Sequence, residues 1–232
     1  MEPTSRYATP TTDDPKLHTE VNSRLPLPVD CVAWNHRYDL LAIGGYKLME
    51  PEQVRVGKLF IVSCCPTIEF GFKIVEEVEL SGVLDMKWEP DVEDHLAVAC
   101  ATCVSIFVID PERGDPLLVN YGTHHLPTGT LALYIEWMDM KRVIFSDSEG
   151  CIHIMGVEIP LKVISVSKVQ PTLTWVVHFD KFNDVVYAGN DEGKLTAFPL
   201  KDIDAVEKHY NKKFRVGVIS IITKAYFVAV GS

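Results

Sequence analysis

The chain has 232 residues, 47% of them hydrophobic, and a formal net charge of −10, enough apolar material for one globular core. Its acidity and dispersed Lys and Arg residues exclude the basic patch that phosphate contacts need, so nucleic acid is not an expected partner. No run reaches the ~18 apolar residues of a membrane span, and residues 1–14 lack the apolar stretch of a signal peptide, so a cytoplasmic protein away from membranes is expected.

Residues 1–15, rich in Thr and Pro, read as a disordered tail, and 16–232 as one incomplete domain. Leu17–Asn22 is a candidate closing strand. Cys31–Trp34, Leu40–Tyr46, Lys58–Ser63 and Lys73–Leu80 then read as four short strands, with Lys47–Gly57 as an inserted loop. Val83–Trp88, Leu96–Ala101, Val104–Ile109 and Leu117–Tyr121 repeat the set. Leu131–Trp137, Val143–Ser146, Cys151–Val157 and Lys162–Ser167 form a third, and Leu173–Phe179, Val185–Gly189 and Lys194–Leu200 open a fourth whose outer strand is indistinct. Val216–Thr223 and Tyr226–Ser232 begin a fifth.

A four-strand unit recurring about every 45 residues is the signature of a β-propeller blade. The blades fall at about 30–80, 81–122, 130–168 and 172–215, with a partial blade at 216–232. The tight turns Asp147-Ser148-Glu149-Gly150 and Asn190-Asp191-Glu192-Gly193 fit the hairpin between second and third strands. A β-sandwich also has short strands and regular turns, but the repetition favours blades. The pattern breaks off inside its fifth unit, so an all-β propeller of four-stranded antiparallel blades, truncated after about four and a half of them, is expected.

No Gly-x-Ser-x-Gly elbow, His-Glu-x-x-His or phosphate loop is present. Cys100 and Cys103 make one Cys-x-x-Cys without the second ligand pair zinc requires, and their strand positions favour core packing; no metal is expected. Asp85 stands early in an inner strand, near where a central channel opens, and a carboxylate there must be satisfied by neighbours or by substrate. His124-His125 falls in the loop between blades two and three and is a candidate general base, although surface histidines are common. Asp147 and Asp191 lie at hairpin tips, where Asp bonds turn backbone; both are also candidates for binding substrate. His153 alternates with apolar neighbours and reads as a structural or surface residue. His178 stands where preceding inner strands carry Trp and is expected to pack or cap a turn.

The run Cys31-Val32-Ala33-Trp34 with Leu41-Ala42-Ile43-Gly44-Gly45-Tyr46-Lys47-Leu48, followed by Val54-Arg55-Val56-Gly57-Lys58-Leu59-Phe60, is similar to the opening of the diphthine methyl esterase family of WD40-repeat proteins. Leu84-Asp85-Met86-Lys87-Trp88, Ser146–His153 and Val186–Gly193 resemble its next three blades in order, so the resemblance spans about residues 17–232. It implies a WD40-type propeller that hydrolyses the methyl ester of diphthine methyl ester on the modified histidine of translation elongation factor 2, within diphthamide biosynthesis. It also implies that factor as protein substrate and no cofactor, and a monomer is expected if the propeller is complete. The substrate's trimethylammonium group would suit an acidic, aromatic rim. The Trp-Asp ending usual in WD40 third strands is missing, and His124-His125 matches no family motif. The alternative is a non-enzymatic WD40 scaffold or adaptor, or an inactive short form.

Overall fold

A computed structural model describes residues 25–52, 54–65, 71–110, 117–202, 210–224 and 227–231. The expected tail and closing strand lie outside these residues. Blade one is β1 (Val29–Asn35), β2 (Leu40–Met49), β3 (Val54–Cys65) and β4 (Gly71–Leu80). Blade two is β5 (Val83–Trp88), β6 (His95–Cys100), β7 (Cys103–Ile109) and β8 (Leu118–His125). Blade three is β9 (Ala132–Asp139), β10 (Arg142–Asp147), β11 (Cys151–Gly156) and β12 (Lys162–Lys168). Blade four is β13 (Thr174–Asp180), β14 (Val185–Asn190), β15 (Lys194–Pro199) and β16 (Tyr210–Lys213), and β17 (Ser220–Lys224) pairs with β18 (Phe227–Gly231). Each four-stranded sheet is antiparallel and ordered as the chain runs. The first strands β1, β5, β9, β13 and β17 pack side by side in succession. They are the inner strands of a β-propeller.

Strand alternation explains where the core sits. Side chains on β6 point alternately to opposite faces. Leu96, Val98 and Cys100 join Leu59 and Ile61 of blade one, while Ala97 and Ala99 join Ile135, Val143 and Phe145 of blade three. Ile144, Ile152 and Ile154 of blade three meet Val177, Val186 and Phe198 of blade four. Val176 and Leu195 meet Val218 and Ile221 of β17 and the segment before it. The hydrophobic core is thus a series of layers, each shared by two neighbouring blades.

The turns have local causes. Asp39, Glu93 and Asp184 take positive φ of 50°, 59° and 55° at equivalent joints between first and second strands. Asp tolerates this conformation well, and at Glu93 the turn is held by its amide, which donates to the carbonyl and carboxylate of Glu89. Gly150 and Gly193 take φ of 81° and 79° between second and third strands. A Cβ on Gly150 would lie 2.2 Å from the Thr172 carbonyl oxygen, and one on Gly193 2.4 Å from that of Val216. Only glycine fits both the angle and the space.

Two elements differ from the sequence expectation. Lys47–Gly57 is not a loop throughout: the β2–β3 register continues through Leu48↔Arg55 to Met49↔Val54, so the insertion is largely a lengthened hairpin, which the β-branched residues Val54 and Val56 favour. His124 and His125 are not in a loop either. They end β8, opposite Val104 and Cys103 of β7, because the backbone ladder runs on past the apolar part of the strand.

Candidate functional site at the channel mouth and rim

The inner strands all begin at one end of the molecule. Ala132, near the start of β9, pairs with Asp147 at the end of β10, and the β6–β7, β10–β11 and β14–β15 turns share that end. It carries His124, His125, Asp147 and Asp191 on its rim, and Asp85 one step into the channel.

Asp85 is buried. Its Oδ1 accepts a hydrogen bond of 2.6 Å from Lys87 Nζ, and its Oδ2 one of 3.1 Å from the Ile135 amide of the next blade. Burial pushes its carboxyl above the usual range, with Lys87 and the amide bonds opposing. Lys87 also lies over the Tyr134 ring, 4.7 Å from its centroid. Burial raises the Tyr134 phenol, helped by the charges of Glu136 and Asp85. Asp30 and Cys31 of β1 complete this end of the channel: burial, then the Asp85 charge, raises both, the thiol to about 12. One built-in ammonium therefore sits among carboxylates and an aromatic ring.

Deeper in the channel the blades are tied by a repeated bond. Trp88 Nε1 donates to the Ala33 carbonyl and Trp137 Nε1 to that of Lys87, at 3.1 and 2.9 Å. Each indole reaches the residue before the preceding blade's Trp. In blade four the Trp position is held by Phe179, opposite Val186 as Trp137 is opposite Val143, and not by His178 as the sequence suggested; His178 stands one residue earlier, level with Lys87 and Glu136. Its Nδ1 lies 3.0 Å from Glu136 Oε2, the side chain before Trp137, and its Nε2 lies 2.9 Å from Thr223 Oγ1. The network is satisfied when Nδ1–H donates and the threonine hydroxyl bonds Nε2. Glu136 also accepts the Phe179 amide. His178 therefore links blades three and four to β17, a wider role than packing or capping a turn.

On the rim, Asp147 does more than close its turn. Its Oδ1 accepts the Glu149 and Cys151 amides at 2.9 and 2.8 Å, and its Oδ2 lies 2.8 Å from His153 Nε2. His153 is stacked on Phe145 with ring centroids 4.4 Å apart, and its Nδ1 is buried without a hydrogen-bond partner among the described residues. His153 is thus a buried partner of Asp147. Asp191 is not the counterpart of Asp147. Asn190 is, since its Oδ1 accepts the Lys194 amide at 2.7 Å, whereas Asp191 accepts the Thr172 hydroxyl at 2.9 Å.

The adjacent histidines diverge. His124 lies opposite Val104, which packs toward blade three, and His125 opposite Cys103, which packs toward blade one. Burial, and then the neighbouring His153 and His125, lowers the His124 imidazole. That favours its neutral, proton-accepting form. Asp85 and His125 occupy the inner and outer strands of one sheet, three strand spacings or about 14 Å apart. The rim and the channel mouth are therefore two neighbouring patches, each with its own chemistry. Lys87, Tyr134, Glu136 and the Asp147–His153 pair carry no local sequence signal; the inner-strand register and the hairpin geometry are what place them.

No helix among the described residues is long and apolar enough to cross a membrane. No family model matches the chain. A curated protein of Schizosaccharomyces pombe (strain 972 / ATCC 24843) named diphthine methyltransferase is 25% identical over 203 residues, covering 86% of this chain. The chain spans 61% of that relative's length. Among solved structures, Sqt1 from Chaetomium thermophilum matches with a TM-score of 0.70 at 10% identity, over 88% of this chain and 55% of that one. The same protein bound to the N-terminus of ribosomal protein L10 matches equally, with 58% of its chain covered. A chain of a mitotic checkpoint complex matches with a TM-score of 0.66 at 14% identity, over 98% of this chain and 68% of that one. At these identities the solved structures establish the fold alone: a WD40-type propeller. The curated relative supports the resemblance to the diphthine methyl esterase family that the blade-one and hairpin sequences carry.

Proposed function

From a WD40 propeller whose sequence resembles that of a diphthine-pathway protein, we propose that this chain is a carboxylic ester hydrolase of diphthamide biosynthesis. Its substrate is the methyl ester of diphthine methyl ester on the modified histidine of elongation factor 2. Water attacks the ester carbonyl, and the products are the free carboxylate of diphthine and methanol. The observation that carries the reading is the match of 203 residues to the relative named for diphthine. The channel mouth supports it physically. Asp30, Asp85 and Glu136 outnumber the single Lys87 near Tyr134, and a trimethylammonium group is stabilised by carboxylates and an aromatic face. In this reading Asp85 holds the cationic end, His124 and His125 supply a base at the rim, and Asp147 and Asp191 shape the binding surface. Asp85 and the histidines then act at different points of an extended substrate.

The test is the intact mass of elongation factor 2 carrying diphthine methyl ester, before and after incubation with the folded chain. Loss of one methyl group without any added cofactor is expected, slowed about 100-fold or more when the contributing base is removed by His124→Ala or His125→Ala. Gain of a methyl group from a supplied methyl donor would replace hydrolysis by transfer. Binding of the factor with its mass unchanged would make the chain a scaffold. Sqt1, which has this fold, is seen bound to the N-terminus of ribosomal protein L10, and fold alone does not decide between the two roles.

A further inference from the structure

The β6–β7 hairpin differs from its counterparts. Its turn is only Ala101 and Thr102, so the register through Ala99↔Val104 continues to set Cys100 directly opposite Cys103. Opposed residues of an antiparallel pair have Cα atoms about 4.5–5.5 Å apart, inside the range of about 4.4–6.8 Å that a disulfide spans. The two side chains share one face, toward blade one, and pack in the same core cluster. Among the described residues no group of three His, Cys, Asp or Glu is arranged to hold a metal ion, so the pair is not part of a zinc centre there.

The two sulfurs are unequal. Cys103 keeps 7% of its surface open, and Cys100 is fully enclosed. Cys103 is also held down to about 6, chiefly by the Cys100 thiol, with the Ser105 and Thr102 hydroxyls and the nearby His125 helping against burial. Cys100 is held well above its ordinary value by the neighbouring Cys103 and by burial. One sulfur is placed to be the nucleophile and the other to resolve.

We propose that Cys100 and Cys103 are an oxidisable dithiol that takes a peroxide and closes a disulfide across the β6–β7 hairpin. The Cys103 thiolate attacks one peroxide oxygen; the O–O bond breaks, the sulfur becomes a sulfenic acid, and the departing oxygen takes a proton to leave as water or an alcohol. The Cys100 thiol then attacks the Cys103 sulfur, forming the S–S bond, and the sulfenic S–O bond breaks so that its hydroxyl leaves with the thiol proton as water. Two thiols lose two electrons and the peroxide gains them. The bridge removes a negative sulfur opposite His125 and pins the hairpin next to the rim.

Tryptic cleavage decides the matter, because the peptide Trp88–Arg113 contains Cys100 and Cys103 and no other cysteine. After hydrogen peroxide treatment of the native 232-residue chain and alkylation without reductant, this peptide is expected to lose two hydrogens and take up no alkyl groups. A thiol reductant restores two alkylation sites. In Cys100→Ser the reaction stops at a Cys103 sulfenic acid that a 1,3-dicarbonyl trap captures; in Cys103→Ser no bridge forms. Full double alkylation of the wild-type peptide after peroxide would overturn the proposal. So would oxygen addition without a bridge, or a cross-link from Cys100 to Cys31. The wild-type mapping decides without either variant having to fold.

Discussion

A carboxylate stripped of most of its water is ionised against a desolvation penalty, and Asp85 shows the sign of it. Its folded value is raised, so between the ordinary carboxylate value and that raised value the folded chain binds more protons than the unfolded one. Stability then falls as pH rises through that window, and the contribution is fully present only at lower pH. In Asp85→Asn the amide oxygen still accepts from the Ile135 amide while the charge is gone. The variant is expected to match or exceed the wild type in urea denaturation at neutral pH, and to lack this residue's gain in stability on acidification. A large loss at neutral pH, of about 3 kcal/mol or more, would instead mean that the Lys87 pair outweighs desolvation. Asp85 was legible in sequence as a carboxylate near the channel. Its partners were not, because Lys87, Tyr134 and Ile135 converge on it only once two inner strands are set side by side.

The tight hairpins of blades three and four are elements in which sequence and structure agree closely, and Asp147 shows why. One side chain receives two turn amides and a histidine, so Asp147→Ala leaves three donors without their acceptor in a largely buried turn. Destabilisation of about 3 kcal/mol is expected, read from the urea midpoint; a change under about 1 kcal/mol would show that the turn relaxes to water. The strands flanking such turns were readable from β-branched alternation and acidic-Gly turns. Strand ends were less so. His124 and His125 carry the composition of a loop, and the partner strand β7, not their own propensity, keeps them paired. The β2–β3 extension follows the same logic. Contacts across strands, such as Cys103 opposite His125, are invisible until register is fixed, and so the rim could be listed by residue but not arranged.

At the scale of the molecule, stability resides in the layers between blades, which resembles the nearest-neighbour energetics of repeat proteins. Gly189 tests this. A Cβ there would lie 2.4 Å from Val218 Cγ1, and Val218 is fully buried beside Val176 and Leu195. Gly189→Ala is expected to cost about 1–3 kcal/mol through overpacking. The loss of amide protection in hydrogen exchange should concentrate in β14 and β17 and leave β5 and β6 as they were. Uniform loss through all blades would show coupling beyond neighbours.

The indole bonds from Trp88 to Ala33 and from Trp137 to Lys87 have a practical consequence. These two rings are 8% and 7% exposed, whereas Trp34 and Trp175 are 39% and 41% exposed. Two of the chain's four tryptophans therefore change surroundings when one blade parts from the next, while the other two already face solvent. Their fluorescence can report separately on the seams between blades one and two and between blades two and three, with no label attached to the protein.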